Sequence, residues 1–187
     1  MPGASGEPVW VGINTALPNR LVRATIEAGC LEPWLGPIAE IRAEVAYGPN
    51  RRSRIDLLLT PAEHASDPRP IYLEVKNTTW SDGDLALFPD TVTERGQKHL
   101  EELMGVLPDA RAVLVPCLSR ADVVRFAPGD SADPRYGDLF RQAVAPDLAR
   151  RIQAAAISGA AWASRCSCSR CRAGSAAFSA STARRST

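Results

Sequence analysis

Two short runs near the middle of the chain alternate between residues that fit a sheet core and residues that carry charge. They span residues 53–59 and 71–76, and turn-forming or polar residues precede each of them, so each predicts a β-strand. Strand side chains point alternately to opposite faces, which places Glu74 and Lys76 on one face, about 7 Å apart. If the two strands pair, Asp56 lies beside them. Two carboxylates and an ammonium at the end of an apolar sheet are costly to bury without a function.

Other stretches predict the elements around these strands. Residues 9–14, 41–47 and 110–118 predict further strands, and residues 31–36 predict a turn or partial helix. A helix capped by Asn19 is expected to end at Gly29, a second helix follows a capping box formed by Thr91 and Glu94, and a third spans residues 136–144. The stretch from residue 77 to 87 is polar, and Asp82-Gly83-Asp84 predicts a turn within it. Strands and helices in this order predict an α/β domain whose mixed central β-sheet is flanked by helices on both faces.

Composition and charge narrow the class of protein. The chain has 187 residues, 45% of them hydrophobic and 23% charged, which suits one domain with one core. It contains no membrane-spanning run and no signal peptide in its first 11 residues, so we expect a cytoplasmic protein without a membrane partner. Of the 22 basic and 21 acidic residues, 15 basic and 20 acidic ones lie in residues 1–142. Residues 143–187 contain the other seven basic residues and one acidic residue. Bulk charge on this mildly acidic body therefore does not account for nucleic-acid binding.

The two ends of the chain differ in composition from the middle. We expect a disordered N-terminus over residues 1–8, a folded domain over residues 9–145, and a low-complexity tail over residues 146–187. The tail is rich in Ala, Ser, Arg and Cys, with a helical stretch predicted over residues 150–157 and disorder elsewhere. Three of its cysteines are closely spaced, but zinc usually requires a fourth ligand, so we assign no zinc site to them: Cys166, Cys168 and Cys171.

Asp56, Glu74 and Lys76 form a pattern suited to metal-assisted cleavage of phosphodiesters. Carboxylates bind Mg²⁺ or Mn²⁺ through oxygen, and the metal lowers the pKa of a bound water and stabilises charge on phosphate oxygens. The lysine positions that water or the developing anion. Glu44 is a candidate second-site ligand or base, and the Val75 carbonyl is a candidate further ligand. The competing interpretation is an ordinary Glu–Lys pair on a solvated face, contributing only about a few tenths of a kcal/mol.

Five blocks of the chain, at residues 11–22, 44–45, 53–56, 72–77 and 88–103, together resemble the sugar fermentation stimulation protein A (SfsA) family. The resemblance runs from about residue 11 to about residue 144. It is carried by Val11-Gly12-Ile13-Asn14-Thr15-Ala16-Leu17-Pro18-Asn19 with Leu21-Val22, by Glu44-Val45, by Ser53-Arg54-Ile55-Asp56, by Tyr72-Leu73-Glu74-Val75-Lys76-Asn77, and by the long block from Phe88 to Leu103. This last block, FPDTVTERGQKHLEEL, is the most specific of them.

The resemblance implies a restriction-endonuclease-like, PD-(D/E)XK fold whose motif maps onto Asp56, Glu74 and Lys76, with Glu44 at a family acidic position. It implies Mg²⁺ or Mn²⁺ as cofactor, bound by Asp56, Glu74 and the Val75 carbonyl, and DNA as partner. Residues expected to line the site or contact nucleic acid are Arg54, Arg95, Lys98 and His99.

Three possibilities for what this chain does stay open on the sequence. The first is metal-dependent DNA cleavage, and the second is a non-catalytic DNA-binding regulator of sugar-utilisation (maltose-type) genes. The third is a truncated product that does neither. The family normally begins with an OB-like barrel suited to nucleic acid, and this chain starts after it. Where the family returns to a strand after its last helix, this chain continues into the Ala/Ser/Arg/Cys tail.

Overall fold

The computed structural model describes residues 8–145, 153–154 and 157–158, and a mixed β-sheet lies at its centre. The strands are β1 (Ile38–Tyr47), β2 (Ser53–Pro61), β3 (Ile71–Thr78), β4 (Trp80–Asp82), β5 (Leu85–Phe88), β6 (Arg111–Leu118), β7 (Arg125–Pro128), β8 (Gln153–Ala154) and β9 (Ile157–Ser158). The helices are α1 (Leu17–Glu27), α2 (Glu32–Leu35), α3 (Glu94–Gly105) and α4 (Pro134–Ala143), with a 3₁₀ turn at Pro49–Arg51.

The central sheet has the strand order β1-β2-β3-β6-β8, and β9 also pairs with β6. The first three strands form an antiparallel meander, whereas β6 runs parallel to β3 along its whole length, from Ile71 opposite Arg111 to Thr78 opposite Leu118. The connection from β3 to β6 contains α3, as a parallel pair requires. A second sheet of three strands, in the order β4-β5-β7, lies beyond the end of β3.

Helices cover the central sheet on both faces. On one face, Val22 and Ile26 of α1 pack with Leu73 of β3 in a buried cluster that α2 also joins. On the other face, Leu100 of α3 packs with Phe140 of α4 in a separate buried cluster. The predicted α/β architecture with a mixed, helix-flanked sheet is therefore confirmed. Within the described residues, no helix is long and apolar enough to cross a membrane.

Three local predictions near helix starts are wrong. Residues 9–14 form no strand, and only an isolated bridge joins Val11 to Arg120. Helix α1 begins at Leu17 instead of after Asn19. The reason is that Pro18 is suited to the first turn of a helix, so the helix includes it. The cap of α3 is Thr93, whose hydroxyl accepts the backbone N–H of Gly96 at 3.1 Å, and the expected Thr91 cap lies before the helix.

Two further stretches differ from the expectation. The polar stretch over residues 77–87 contains β4 and most of β5, which were not expected. The two strands form a hairpin whose turn lies at the predicted Asp82-Gly83-Asp84, with Gly83 in the left-handed region (φ +56°). Where the structure describes the predicted helix of residues 150–157, it shows the short strands β8 and β9 paired with β6, because these residues meet an open sheet edge. The rest of that stretch and the three tail cysteines lie outside the described residues.

Candidate functional site

The site lies where β2 and β3 separate. Pairing between these strands runs from Leu59 opposite Ile71 to Leu57 opposite Leu73 and goes no further. At the next position of β2, Asp56 uses its carboxylate to accept the backbone N–H of Val75, with Oδ2 2.7 Å from the nitrogen. The side-chain carboxylate therefore satisfies a donor that a ladder carbonyl would otherwise satisfy.

Helix α1 holds the other oxygen of this carboxylate. The amide nitrogen of Asn19 lies 2.8 Å from Asp56 Oδ1 and donates to it. Asn19 therefore does not cap its helix; it fixes an acid 37 residues away in the chain. Sequence reasoning missed this role, because asparagine next to proline is also typical of a helix start.

Glu74 is the centre of a buried polar cluster. Its side chain is 4% exposed, and Oε1 lies 2.7 Å from Lys76 Nζ and 2.5 Å from His99 Nδ1. A carboxylate only accepts hydrogen bonds, so we assign the proton in the second contact to Nδ1 of the histidine. Lys76 and His99 are also buried, and their nitrogens lie 3.3 Å apart. The Glu–Lys pair is therefore not on a solvated face.

The two carboxylates have opposite pKa shifts. Burial and the charge of Glu74 raise the pKa of Asp56 above its ordinary value, although the hydrogen bonds from Val75 and Asn19 oppose them. Burial works in the same direction at Glu74, but there the hydrogen bond from His99 and the charge of Lys76 prevail and hold the pKa below its ordinary value. Glu74 therefore stays ionised, and its charge acts on Asp56 across the gap between the strands. Such an arrangement favours a positive charge between the two acids.

One oxygen of Glu74 remains without a hydrogen bond. Oε2 is buried and has no hydrogen-bond partner among the described residues, in contrast to Oε1. The described residues contain no group of three or more His, Cys, Asp or Glu side chains arranged to hold a metal ion. Any cation here would therefore take Asp56 and Glu74 as its protein carboxylates and complete its shell with backbone oxygen, water or substrate, which is how Mg²⁺ is usually bound.

Two tyrosine hydroxyls lie close enough to Glu74 to respond to its charge. Tyr47 ends β1 and Tyr136 is in α4; both hydroxyls are buried, and neither has a hydrogen-bond partner among the described residues. Burial and the charge of Glu74 raise the pKa of both above the ordinary value, so both keep their protons. Sequence reasoning missed them because a tyrosine at a core position also fits simple packing.

A second buried network fixes the helix that carries His99. Asp133, only 2% exposed, caps α4 by accepting the Tyr136 N–H at 3.0 Å and also accepts the Thr93 N–H at 2.9 Å. The side-chain amide of Gln97 lies 3.0 and 2.9 Å from its two oxygens. This Asp133 clamp ties the first turn of α3 to the first turn of α4. The only sequence signal for it was an aspartate directly before Pro134.

The remaining predicted site residues lie outside these contacts. Glu44 is exposed with φ +54°, and its carbonyl accepts Arg54 Nη1 at 2.8 Å. Arg95 and Lys98 are exposed on α3, and Lys98 lies 3.5 Å from Glu102. Four of the predicted residues either contact one another or act on one another through their charges: Asp56, Glu74, Lys76 and His99. Val75 joins them through its backbone.

Comparison with known proteins identifies the family. The family described as "Sugar fermentation stimulation protein RE domain" matches residues 16–158. A sugar fermentation stimulation protein homolog of Synechococcus sp. (strain CC9605) is 82% identical over 143 residues, which are 76% of this chain and 56% of that protein. The homolog of Parasynechococcus marenigrum (strain WH8102) is 81% identical over 144 residues, 77% of this chain and 57% of that protein.

A solved structure supports the same assignment. "The structure of Pyrococcus Furiosus SfsA in complex with Ca2+" is similar with a TM-score of 0.66 and 28% sequence identity. The match covers 78% of this chain and 58% of that one. The chain thus spans a little over half the length of the curated relatives it matches. It belongs to the sugar fermentation stimulation protein (SfsA) family.

Proposed function

We propose that this domain is a PD-(D/E)XK nuclease-like domain that cleaves phosphodiester bonds of DNA with a bound divalent metal ion. The observation that carries the proposal is the meeting of Asp56 and Glu74 where β2 and β3 separate, with Lys76 on the same face as Glu74. A motif of this type requires an acid on one strand and Glu-x-Lys on the next. The Pyrococcus furiosus SfsA structure, described as a complex with Ca2+, supports a divalent cation at the corresponding site of this chain.

The donor set fits Mg²⁺ or Mn²⁺. Asp56 and Oε2 of Glu74, which has no hydrogen-bond partner within the described part of the chain, supply carboxylate oxygens, and the Val75 carbonyl is the proposed further ligand. When bound, the cation would lower the pKa of a coordinated water and neutralise charge on the phosphate. Glu44, exposed on β1, stays a proposed second base or ligand.

The protein's own side chains prepare this chemistry by holding the acids in place. The N–H of Val75 and the amide of Asn19 fix both oxygens of Asp56, at 2.7 and 2.8 Å. His99 donates a hydrogen bond to one oxygen of Glu74, and no described residue donates one to the other. Lys76 places an ammonium beside the two acids, where it can orient water or stabilise negative charge on phosphate. Preorganised charges of this kind act strongly because the site is shielded from bulk water.

A second candidate function is DNA binding without cleavage, by a regulator of sugar-utilisation genes. Exposed arginines favour it: Arg51, Arg52 and Arg54 lie within four residues at the turn before β2 and at its start. Arginines contact phosphates without reading sequence, so they would supply affinity in either function. Arg95 and Lys98, exposed on α3, are proposed further contacts. Cleavage of bound DNA distinguishes the two candidates.

Calorimetric titration of Mn²⁺ tests the primary proposal. We expect wild type to bind the ion and Asp56→Asn to lose at least about tenfold in affinity, because a neutral amide is a poorer ligand although it still accepts the Val75 N–H. Asp130→Asn is the matched control: this acid pairs with Arg141 and is not part of the site. The same samples are then incubated with single- and double-stranded DNA. Absence of Mn²⁺ binding and of cleavage by wild type would refute the nuclease proposal, and retained DNA binding would then favour the regulator.

A further inference from the structure

The basic residues of the folded domain fall into two groups. Residues 8–145 of the structure contain fifteen lysines and arginines, and ten of these form an ion pair with an aspartate or a glutamate. The other five have no acidic partner among the described residues, and all five are exposed: Arg20, Arg51, Arg52, Arg54 and Arg95. Their positive charges are therefore uncompensated within the described domain and open to a ligand.

Arg20 lies beside the candidate site, on the α1 side of the central sheet. It directly follows Asn19, whose amide nitrogen is 2.8 Å from Asp56 Oδ1, so the Cα atoms of Arg20 and Asn19 are about 4 Å apart. The other arginine of α1, Arg23, lies one turn further from the helix start and is 2.8 Å from Glu27. Of the two arginines on this helix, the one next to the site is thus the one without an acidic partner.

Arg95 lies beside the same site on the opposite side of the sheet. It is in the first turn of α3 and precedes His99 by four residues, so the two are neighbours along the helix. His99 contacts Glu74, the second proposed metal ligand. Since α1 and α3 pack on opposite faces of the central sheet, the gap between β2 and β3 has an unpaired arginine on either side.

These arginines concentrate positive charge on a domain that is otherwise mildly acidic. The overall charge of the domain does not attract DNA, so a DNA strand needs a local cationic surface. An unpaired guanidinium presents donors that match a phosphate, whereas a paired one first has to give up its carboxylate. Arg51, Arg52 and Arg54 extend this surface along the turn before β2. Arg54 donates to the carbonyl of Glu44 at 2.8 Å, which leaves its charge uncompensated.

We propose that Arg20 and Arg95 bind two phosphates of one DNA strand, on either side of the phosphate at the Asp56–Glu74 site. The inference deepens the function proposed above and rests on DNA being its substrate. The strand crosses the gap between β2 and β3 from the α1 side to the α3 side of the sheet. Because the two contacts flank the reacting phosphate, they position it against the acids as well as contribute affinity.

The salt dependence of DNA binding tests the two contacts. Anisotropy of a fluorescein-labelled DNA is titrated with protein in EDTA, as duplex and as single strand, from about 50 to 200 mM KCl. Loss of one phosphate contact lowers the slope of log affinity against log salt by about 0.7–0.9. We expect Arg20→Gln and Arg95→Gln each to show this change and to bind at least about threefold more weakly. The double variant should combine both losses, because the two residues contact different phosphates.

Arg23→Gln is the matched control. It removes the same charge from the same helix, one turn away, at an arginine that is already paired with Glu27. We expect it to bind within about twofold of wild type with the slope unchanged. Thermal melts of all variants should match wild type, because surface substitutions of this kind rarely affect stability.

Methylphosphonate substitution locates the contacts relative to the cleaved bond. In wild type with Mn²⁺, cleavage of a bond should slow when the neighbouring phosphate on either side is replaced by a neutral methylphosphonate. Arg20→Gln should lose this sensitivity on one side of the bond, and Arg95→Gln should lose it on the other. Loss on the same side in both variants would contradict a strand that crosses the gap.

The other outcomes separate this inference from the function on which it rests. Wild-type affinity and slope in Arg20→Gln or Arg95→Gln overturn the inference, and so does an equal loss in Arg23→Gln, which indicates only the general charge of α1. Wild type that binds neither form of DNA overturns both proposals. Wild type that binds DNA through these arginines and leaves it uncut supports the contacts and refutes cleavage alone.

Discussion

Replacing Asp133 with alanine should destabilise the fold strongly although the residue lies outside the proposed metal site. The substitution removes the cap of α4, which is typically worth about 1 kcal/mol. It also leaves the Thr93 N–H and the Gln97 amide without their acceptor, and an unsatisfied buried donor costs about 1–3 kcal/mol. Allowing for partial relaxation, we expect a loss of about 3–4 kcal/mol in the free energy of unfolding. For a domain of this size that lowers Tm by about 10 °C.

The pH dependence of this loss has a definite sign. Burial alone would raise the pKa of Asp133, but hydrogen bonds from Thr93, Gln97 and Tyr136 outweigh it and hold the pKa below the ordinary value. A depressed folded-state pKa means that the stabilisation is fully present above the unfolded-state pKa, about 3.9 for aspartate, and is lost as pH falls through the folded value. The difference between wild type and Asp133→Ala should therefore be constant from pH 7 to about pH 5 and shrink below about pH 4.

Urea denaturation followed by circular dichroism at pH 7, 5, 4 and 3 measures this difference. Asp130→Asn, which removes a half-exposed ion pair with Arg141 nearby, is the control and should stay within about 0.5 kcal/mol of wild type. A loss below about 1 kcal/mol at pH 7 in Asp133→Ala, or a difference that grows on acidification, would refute the reasoning. Because the clamp fixes the first turn of α3, the variant should also broaden the NMR signals of His99.

Three further predictions concern the site and the backbone around it. Lys76→Met should cost about 3–5 kcal/mol of unfolding free energy at pH 7 in urea denaturation, because the buried Glu74 carboxylate loses its ammonium partner. Acidification should reduce the loss. A loss under about 1 kcal/mol would contradict burial of the pair. Asn19→Ala should weaken Mn²⁺ binding in calorimetry about threefold or more by releasing Asp56, whereas unchanged affinity would contradict its positioning role. Gly129→Ala places a Cβ against the backbone carbonyl oxygen of Pro89 and should destabilise by about 1–3 kcal/mol, whereas Gly105→Ala meets open space at a helix end and should stabilise by about 0.5–1 kcal/mol. Thermal melts in the reverse order would refute both.

The central strands were predictable because their pattern is local. Residues 53–59 and 71–76 show short apolar runs between turn signals, and the structure places β2 and β3 there with at most two added residues at an end. The strands of the second sheet gave no such signal. β5 and β7 are four residues each and pair over a separation of 40 residues, Leu85 with Arg125. Their strand conformation depends on tertiary pairing, which single-residue propensity does not contain.

The acidic residues of the candidate site could be predicted from the sequence, whereas the residues that hold them in place could not. The spacing of Asp56, Glu74 and Lys76, together with the family resemblance, identified the group that the structure brings together. For His99, a packed helix residue and a neighbour of the site were equally open, and its contact with Glu74 now supports the second. The bond from Asn19 to Asp56 depends on how α1 docks on the sheet. No pattern along the chain reports such docking, since asparagine suits a helix cap equally well.

The Val75–Asp56 hydrogen bond gives Asp56 a structural role beside the metal binding proposed for it. Its carboxylate ends the pairing of two strands by replacing a main-chain acceptor, whether or not it ever holds a cation. A descendant that lost all chemistry would still be under selection to keep an acceptor at this position, because otherwise the N–H of Val75 would be buried unpaired. Retention of the aspartate among relatives would therefore not by itself indicate catalysis. Among the described residues, Oε2 of Glu74 accepts no hydrogen bond, so loss of this oxygen in a relative would argue against the proposed metal-dependent cleavage in that relative.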